Sequence, residues 1–417
     1  MHRFAHVADV HLGAHREPAL QKLELQIFDA TMMKCIELGM DFVLICGDLF
    51  HVGIPDLEVV DAALKSMIAV KNQGIPIYAV YGSHDYTPNG TSVIDILNTA
   101  GVLTNVFKPS FEGEALRLGV TVDEKTGAKI AGISARKIGL ESRYFQALDR
   151  AALERELGLK IFAFHSGLTE LKPDHLNAMD TVDAELLPRG FDYYAGGHIH
   201  ERGEYSLPGM ENIVFPGPLF TGYGKDLEAT AKGERRGFYI VEFDAHVTAK
   251  TFVPMDSFEG VFREYDLGGL NAPEAGAMIL EDVKGIDVGG KLVVIRTHGE
   301  LIGGKPSEVG LARVKAVLSE RGALHVYLNR SGLSSREQTG PVFSGEEPAS
   351  IEKKLLEGEA AKVQVGDEHL RGQSGAAVGM ELLRLWRQPP KLGEAKKDYT
   401  ARMVREGMHT LTREEQK

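Results

Sequence analysis

The chain has 417 residues, of which 43% are hydrophobic and 25% charged, with a formal net charge of −12 and a pI near 5.7. That length argues for two to three domains, and the acidic balance excludes a globally basic nucleic-acid coat while leaving room for a local basic cleft. Cys35 and Cys46 are too few for a disulfide framework. With no signal-like opening and no apolar run long enough to span a bilayer, they lead us to expect a soluble protein of a reducing cytoplasm with no membrane partner.

Phe4 to Ala8 reads as a short strand that delivers Asp9-Val10-His11. Helical spacing of Leu20, Leu23, Ile27 and Met33 predicts a helix from about Pro18 to Leu38, stopped by Gly39. The next strand begins at Phe42. Its continuous apolar run through Leu44-Ile45-Cys46 suits a strand covered on both faces, and it breaks off in Gly47-Asp48, with His51 three residues on. A second helix starts at Pro55-Asp56 and stops at Gly74, and a third strand, Ile77 to Val80, ends in Tyr81-Gly82-Ser83-His84-Asp85. Repeated strand, helix, strand implies parallel neighbours in an open α/β sheet, which collects its chemistry beyond the carboxyl ends of the strands.

Past Asp85 the pattern predicts a helix at Thr91 to Asn98 and short strands at Val102-Leu103, Ala115 to Leu118 and Lys129 to Ile133. The apolar strand Ile161 to Phe164 delivers His165, and Tyr193 to Gly197 leads into His198-Ile199-His200. Asn212 to Val214 and Gly237 to Phe243 read as a strand pair around a Gly-rich loop from Pro216 to Gly233. From about Val253 the character changes to a small α+β module, with strands at Val261 to Arg263, Leu292 to Ile295 and Leu324 to Leu328 and helices at Ala272 to Val283 and Val309 to Ser319. A linker-like composition follows, and then two helical candidates, one ending in Leu382, Leu383, Leu385 and Trp386 and the other running from about Glu394 to Thr410. The expected divisions are 1–252, 253–330, a linker at 331–350 and a tail at 351–417.

Asp9, His11, Asp48, His84, His165, His198 and His200 all stand at the ends of these strands. Clustered charges of this kind need a compensating partner, and imidazole with carboxylate suits manganese, iron, zinc or similar ions. So many groups can build two sites, with Asp48 as the natural bridge between the ions. If the segments are extended, a period of two points Asp9 and His11 to one face, and likewise His198 and His200.

Asp9-x-His11, Gly47-Asp48, Gly82-Ser83-His84-Asp85, His165 and Gly197-His198-Ile199-His200 resemble, in order and spacing, the motifs of the calcineurin-like metallophosphoesterases. Within that superfamily, Gly47 to His51, the long first helix, the Gly-His-Ile-His ending, the small second module and the helical tail resemble the double-strand-break repair nucleases of the Mre/SbcD type. The resemblance implies an α/β sandwich of mixed sheets flanked by helices, a small α+β capping and DNA-binding domain, and a helical tail. It implies two Mn2+ ions, with Mg, Fe or Zn as substitutes. One would be held by Asp9, His11, Asp48 and His200, the other by Asp48, Ser83, His165 and His198. His84 would contact the scissile phosphate, kept charged by a nearby carboxylate, with Asp85 and His51 beside it in the catalytic set. The family generally has asparagine where this chain has Ser83, a shorter ligand, which weakens the expectation for the second ion. The expected chemistry is hydrolysis of a phosphodiester, the ions lowering the pKa of a water and clamping the phosphoryl oxygens.

Candidate DNA contacts are His15, Arg16, Tyr86, Asn89, Arg136 and Lys137, with the segment Pro216 to Gly224 as another. The tail resembles the segment by which such nucleases dock on a coiled-coil ABC ATPase of the SbcC/Rad type, with Leu382, Leu383, Leu385, Trp386, Val404, Met408 and Leu411 as anchors. A homodimer and a nucleoid-associated, cytoplasmic location also follow from the resemblance. Two rival readings stay open: an esterase of small phosphodiesters or nucleotides, and a weakly active scaffold for the ATPase.

Overall fold

The computed structural model describes residues 1–87, 90–135, 141–173, 179–255, 258–336, 348–361, 363, 365–391, 394 and 396–412. In chain order the first part comprises β1 (His2–Val7), α1 (Pro18–Glu37), β2 (Phe42–Cys46), α2 (Leu57–Asn72), β3 (Ile77–Val80), α3 (Val93–Thr99) and β4 (Thr104–Asn105). There follow β5 (Pro109–Glu112), β6 (Ala115–Leu118), β7 (Thr121–Val122), β8 (Lys129–Ile133), α4 (Glu141–Ala147), α5 (Arg150–Glu154), β9 (Lys160–His165), β10 (Gly167–Leu168), β11 (Thr181–Val182) and β12 (Tyr193–Gly197). Next come β13 (Gly203–Leu207), β14 (Met210–Phe215), α6 (Gly224–Ala231), β15 (Gly237–Phe243) and β16 (Val247–Pro254).

Two six-stranded sheets organise this part, in the orders β16-β15-β1-β2-β3-β4 and β13-β14-β12-β9-β8-β7. β1 to β4 run parallel, as do β8, β9, β12 and β14, so both parallel cores aim their carboxyl ends at one region. Phe4, Phe42, Leu44, Cys46, Ile161, Ala163, Tyr193, Val214 and Val241 form one buried cluster drawn from strands of both sheets. That is why β2 and β9 are apolar on both faces. A second cluster joins the other face of the first sheet to α1 and α2 through Ile27, Phe28, Met32, Val59, Ala63 and Met67. A third covers the second sheet with Phe145, Leu148 and Leu153. The result is the expected α/β sandwich of mixed sheets flanked by helices.

Local expectations held where period and boundary signals agreed, and failed where pairing is long-range. Val102-Leu103 is no strand, because Val102 N–H still donates to the Leu97 carbonyl in the turn that ends α3, and only Thr104–Asn105 pairs with β3. β14 and β15 are not a pair. β14 joins β12 and β13, while β15 crosses to the other sheet and lies antiparallel to β1. The expected Gly-rich loop holds the helix α6.

The small module has β17 (Gly260–Asp266), α7 (Ala272–Val283), β18 (Leu292–Leu301), α8 (Leu311–Glu320) and β19 (His325–Ser335), with sheet order β17-β18-β19 and β17 parallel to β18. Residues 1–267, 274–299 and 309–332 make one compact unit, and residues 268–273, 300–308 and 333–417 a second. Among its described residues the second unit holds three α-helices, α9 (Pro348–Ala360), α10 (Gly372–Trp386) and α11 (Lys396–Thr412). α9 occupies the end of the expected linker, and β19 its beginning. Among the described residues no helix is long and apolar enough to cross a membrane.

Candidate metal centre

The expected donors do converge, but not along extended strands. Asp9, His11, Asp48 and His198 all have left-handed backbone, with φ of 50°, 52°, 52° and 87°. Each strand therefore turns sharply as it leaves its sheet, and the turn rather than a period of two aims the side chains. The turns are laced together. Asp9 N–H donates to the Gly47 carbonyl at 3.1 Å, His11 N–H to the Asp48 carbonyl at 2.8 Å, and His51 N–H to the Leu12 carbonyl at 3.0 Å. Gly47 and Gly82 leave room for the packed ligands: a Cβ on Gly47 would stand 2.1 Å from His165 Nδ1, and one on Gly82 would stand 2.0 Å from Asp48 Oδ1.

Asp48 is central. Its Oδ2 lies 3.2 Å from His165 Nε2 and 3.6 Å from His11 Nε2, while its Oδ1 accepts from the His84 backbone N–H at 2.9 Å. Asp9 accepts from the His198 backbone N–H at 2.9 Å, and its Oδ1 stands 3.9 Å from both His165 Nε2 and His200 Nε2. Among the described residues three donor groups result, each compact enough to hold a metal ion: Asp9 with His11 and His200, Asp9 with Asp48 and His165, and His11 with His51 and His84. His198 packs its ring 5.2 Å from that of His165 and lines the cleft beside them with Ser83.

The side chains fit a cation on three counts. His165 Nε2 is buried and faces only the carboxylates of Asp48 and Asp9, at 3.2 and 3.9 Å, while its Nδ1–H is satisfied by the Cys46 carbonyl at 2.8 Å. His200 donates Nδ1–H to Asp226 Oδ2 at 2.9 Å, which leaves its Nε2 lone pair facing His11 Nε2 at 3.1 Å. Between those two nitrogens lies either a proton on His11 Nε2 or a shared cation. Lastly, Asp9 and Asp48 are both buried, and two adjacent carboxylates demand positive charge. Burial raises Asp9 to about 6. Burial also opposes a charge on His165, yet the Asp48 carboxylate outweighs it and raises that imidazole to about 10, with Asp48 driven down in turn. Burial lowers His198 to about 4 and takes His11 well below its usual range, so both are neutral donors near pH 7.

His84 sits at the mouth of a cleft of about 440 Å³ lined also by Asp48, His198, His200, Tyr223 and Lys225. Its Nδ1–H donates to the His51 carbonyl at 2.6 Å and its Nε2 meets the Tyr223 hydroxyl at 2.8 Å. The expected carboxylate partner is therefore replaced by a carbonyl and a phenol. Asp85 is turned away from the His84 ring. Its carboxylate is buried and accepts from the backbone N–H groups of Gly82 at 2.8 Å and Phe50 at 3.1 Å, which makes it a brace for the Asp48 turn rather than a catalytic group. His51 bridges two of the others, with Nδ1 3.3 Å from His11 Nδ1 and its ring stacked on His84 at 5.0 Å.

Asp226 and Glu24 escaped the sequence reading, and Tyr223 entered it only as part of the candidate segment Pro216 to Gly224. Asp226 orients His200 and also accepts from Gly222 N–H and Tyr223 N–H, both at 2.8 Å. Burial works against its charge, but its bond to His200 prevails and keeps its pKa low. Tyr223 forms the outer wall of the cleft. Glu24, buried on α1, accepts from Gly13 N–H at 2.7 Å beneath the loop that follows His11, and burial raises it to about 7. Of the expected DNA contacts, His15 bonds Thr221 through Nε2 at 2.8 Å, Arg16 is exposed and Tyr86 is half-buried. Asn89, Arg136 and Lys137 lie outside the described residues.

Residues 2–202 match the family model of the calcineurin-like phosphoesterases. The DNA double-strand break repair protein Mre11 of Methanopyrus kandleri is 30% identical over 253 residues, covering 58% of this chain and 54% of its own length. Mre11 of Archaeoglobus fulgidus is 27% identical over 269 residues, covering 58% and 57%, and Mre11 of Aeropyrum pernix 30% over 271 residues, covering 58% and 64%. The chain thus spans between about half and two thirds of the length of these relatives. The matched segment contains every candidate donor of the metal-ligating set, and over that segment the chain is similar to the calcineurin-like phosphoesterases.

Proposed function

We propose that the chain is a metal-dependent phosphodiesterase that cuts DNA, as exonuclease and endonuclease, in the processing of double-strand breaks. The observation that carries the reading is the convergence of Asp9, His11, Asp48, His165, His198 and His200 at the carboxyl ends of two sheets, with His84 beside them at an open cleft. Asp9, His11, Asp48 and His200 would hold one Mn2+, and Asp48, His165, His198 and Ser83 the other. Bound there, such ions acidify water and neutralise phosphoryl oxygens. The chain's own part is to place His84 Nε2 at the cleft mouth, fixed by the His51 carbonyl, where it can hydrogen-bond an oxygen of the scissile phosphate. The names of the relatives support DNA as the substrate.

The test is manganese-dependent digestion of linear duplex DNA beside a chromogenic phosphodiester, with His84→Ala as control. Cleavage of DNA that His84→Ala loses supports the nuclease. Cleavage of the chromogen alone points to a small-molecule esterase, and no metal-dependent cleavage of either to a scaffold.

For the ATPase partner, Trp386, Val404 and Met408 are 56%, 60% and 52% exposed and line one apolar groove with Tyr399 and Leu411, which supports docking there. Leu382 and Leu385 are buried in the helical unit and drop out as anchors, because that face of α10 packs the helices together. Exposed Leu57 and Ile68 on one face of α2, with Met33 on α1, support a homodimer, which sedimentation at micromolar concentration tests; a monomer there refutes it. Reduced, buried Cys35 and Cys46 are consistent with action on the chromosome in the cytoplasm, to be checked by cell fractionation.

A further inference from the structure

The cleft beside His84 is larger than one phosphate needs. Its volume of about 440 Å³ lies in the range that takes a whole small molecule rather than a single phosphoryl group. Beyond the metal donors and Asp226, its charged lining consists of Glu201, Lys225, Glu234 and Arg236. Three of these engage one another. Arg236 is buried and its guanidinium is spent within the chain: Nε donates to Thr230 Oγ1 at 3.0 Å, one terminal nitrogen to the His200 carbonyl and to Glu234 Oε1, both at 3.0 Å, and the other to the Asp226 carbonyl at 3.2 Å. Glu201 adds its own attraction to the same guanidinium. That group is closed to a ligand.

Lys225 differs. It lies in the first turn of α6, is exposed, and makes no hydrogen bond or ion pair among the described residues. It follows Tyr223 by two residues, and the Tyr223 hydroxyl meets His84 Nε2 at 2.8 Å, so the segment that carries Lys225 borders His84. Among the described residues it is the one cationic side chain of the lining that is free to meet an anion.

We propose that Lys225 determines specificity: its ammonium holds a second phosphate of a nucleic-acid strand, next along from the one at the metal donors, so that the cleft prefers a polynucleotide to an isolated phosphodiester. The selectivity follows from charge. A strand carries one anionic phosphate at every linkage, and a small diester has only the one that the metal donors and His84 already claim. An ammonium recognises such a neighbour as a point charge, without reading its base. The inference rests on the phosphodiester reading of the cleft and names the class of diester.

Thymidine trinucleotides test it, one with two phosphorothioate linkages and two in which either linkage is a neutral methylphosphonate, so that the bases stay constant and the flanking charge changes. Titration calorimetry on the manganese-loaded chain is expected to show the doubly charged ligand bound about threefold to tenfold more tightly than the singly charged ones, beyond the statistical gain of two registers, the worth of one exposed charged contact. The margin should shrink as salt is raised. In Lys225→Met only the statistical gain should remain, and Lys225→Arg should restore the margin. No margin in the native chain overturns the assignment, and so does a margin that survives in Lys225→Met. Equal loss in Lys232→Met also overturns it, because that exposed ammonium lies 4.3 Å over the Phe262 ring and does not line the cleft, and the cause would then be a diffuse field. Hydrolysis of the all-oxygen trinucleotide is read in the same samples. A Lys225-dependent margin without hydrolysis leaves the lysine and overturns the nuclease, hydrolysis without a margin does the reverse, and no binding of any trinucleotide overturns both.

Discussion

Replacing Asp226 by Asn keeps the shape of the side chain and takes away its charge. In the native chain one carboxylate oxygen receives His200 Nδ1–H at 2.9 Å and two backbone N–H groups at 2.8 Å. An amide oxygen can still accept, but the bond to His200 changes from charge-assisted to neutral, a loss of about 1 to 2 kcal/mol in the basicity and orientation it lends that imidazole. Such a loss is a factor of about 5 to 30 in affinity, the range expected for an outer partner of a ligating histidine. Only the ion touched by His200 should feel it, because His165 is held instead by the Cys46 carbonyl. Manganese titration of the wild type and Asp226→Asn by calorimetry is therefore expected to show one of two affinities reduced and the other retained. Arg236 still donates to the Asp226 carbonyl and the His200 carbonyl, so the fold should survive, which circular dichroism checks. Two affinities that fall together, or neither falling, would refute the assignment of Asp226 to one ion.

Glu24 should make the chain lose stability as pH rises. Its folded pKa of about 7 lies above the 4.5 of a free side chain. The stabilising difference is fully present below the lower value and is gone above the higher one, amounting to about 3 kcal/mol across that window. Urea midpoints by circular dichroism should accordingly fall from pH 4.5 to 7, and Glu24→Gln should flatten that part of the profile; an identical slope in the variant counts against a buried, proton-binding Glu24. Gly47→Ala forces a side chain into left-handed backbone at φ 85° and into His165. A destabilisation of about 2 to 4 kcal/mol is expected, with weaker metal binding, and an unchanged melting temperature would show that the turn can relax. Trp386, the only tryptophan, should be open to acrylamide in the isolated chain and protected by the ATPase partner; a tryptophan shielded when alone argues against docking at that groove.

The donors were legible because each follows an apolar run, and a strand's end can be read locally from Ile45-Cys46-Gly47-Asp48 or from Phe164-His165. Which strands lie side by side could not be read. β1 pairs with β15 across more than two hundred residues, through backbone hydrogen bonds that carry no side-chain signature. Asp226 was hidden for a different reason. It lies where a glycine-rich segment turns into the eight-residue helix α6, too short for its period to stand out, and an acid in a first helical turn looks like an ordinary cap. Asp85 misled by adjacency. Neighbouring residues in a tight turn point apart, and its carboxylate found backbone N–H groups before it could find the His84 ring.

The left-handed backbone at Asp9, His11, Asp48 and His198 has a consequence for how the protein can be improved or worn down by mutation. Each of these conformations costs roughly 1 kcal/mol for a residue with a Cβ, and glycine would adopt them freely. At Asp9 and Asp48 a glycine would also remove one of two crowded buried carboxylates. Backbone strain alone would therefore favour glycine at each of the four, and only the work of the side chains holds it off. At these four positions durability and chemistry are in competition, and the native residues record which of the two prevailed.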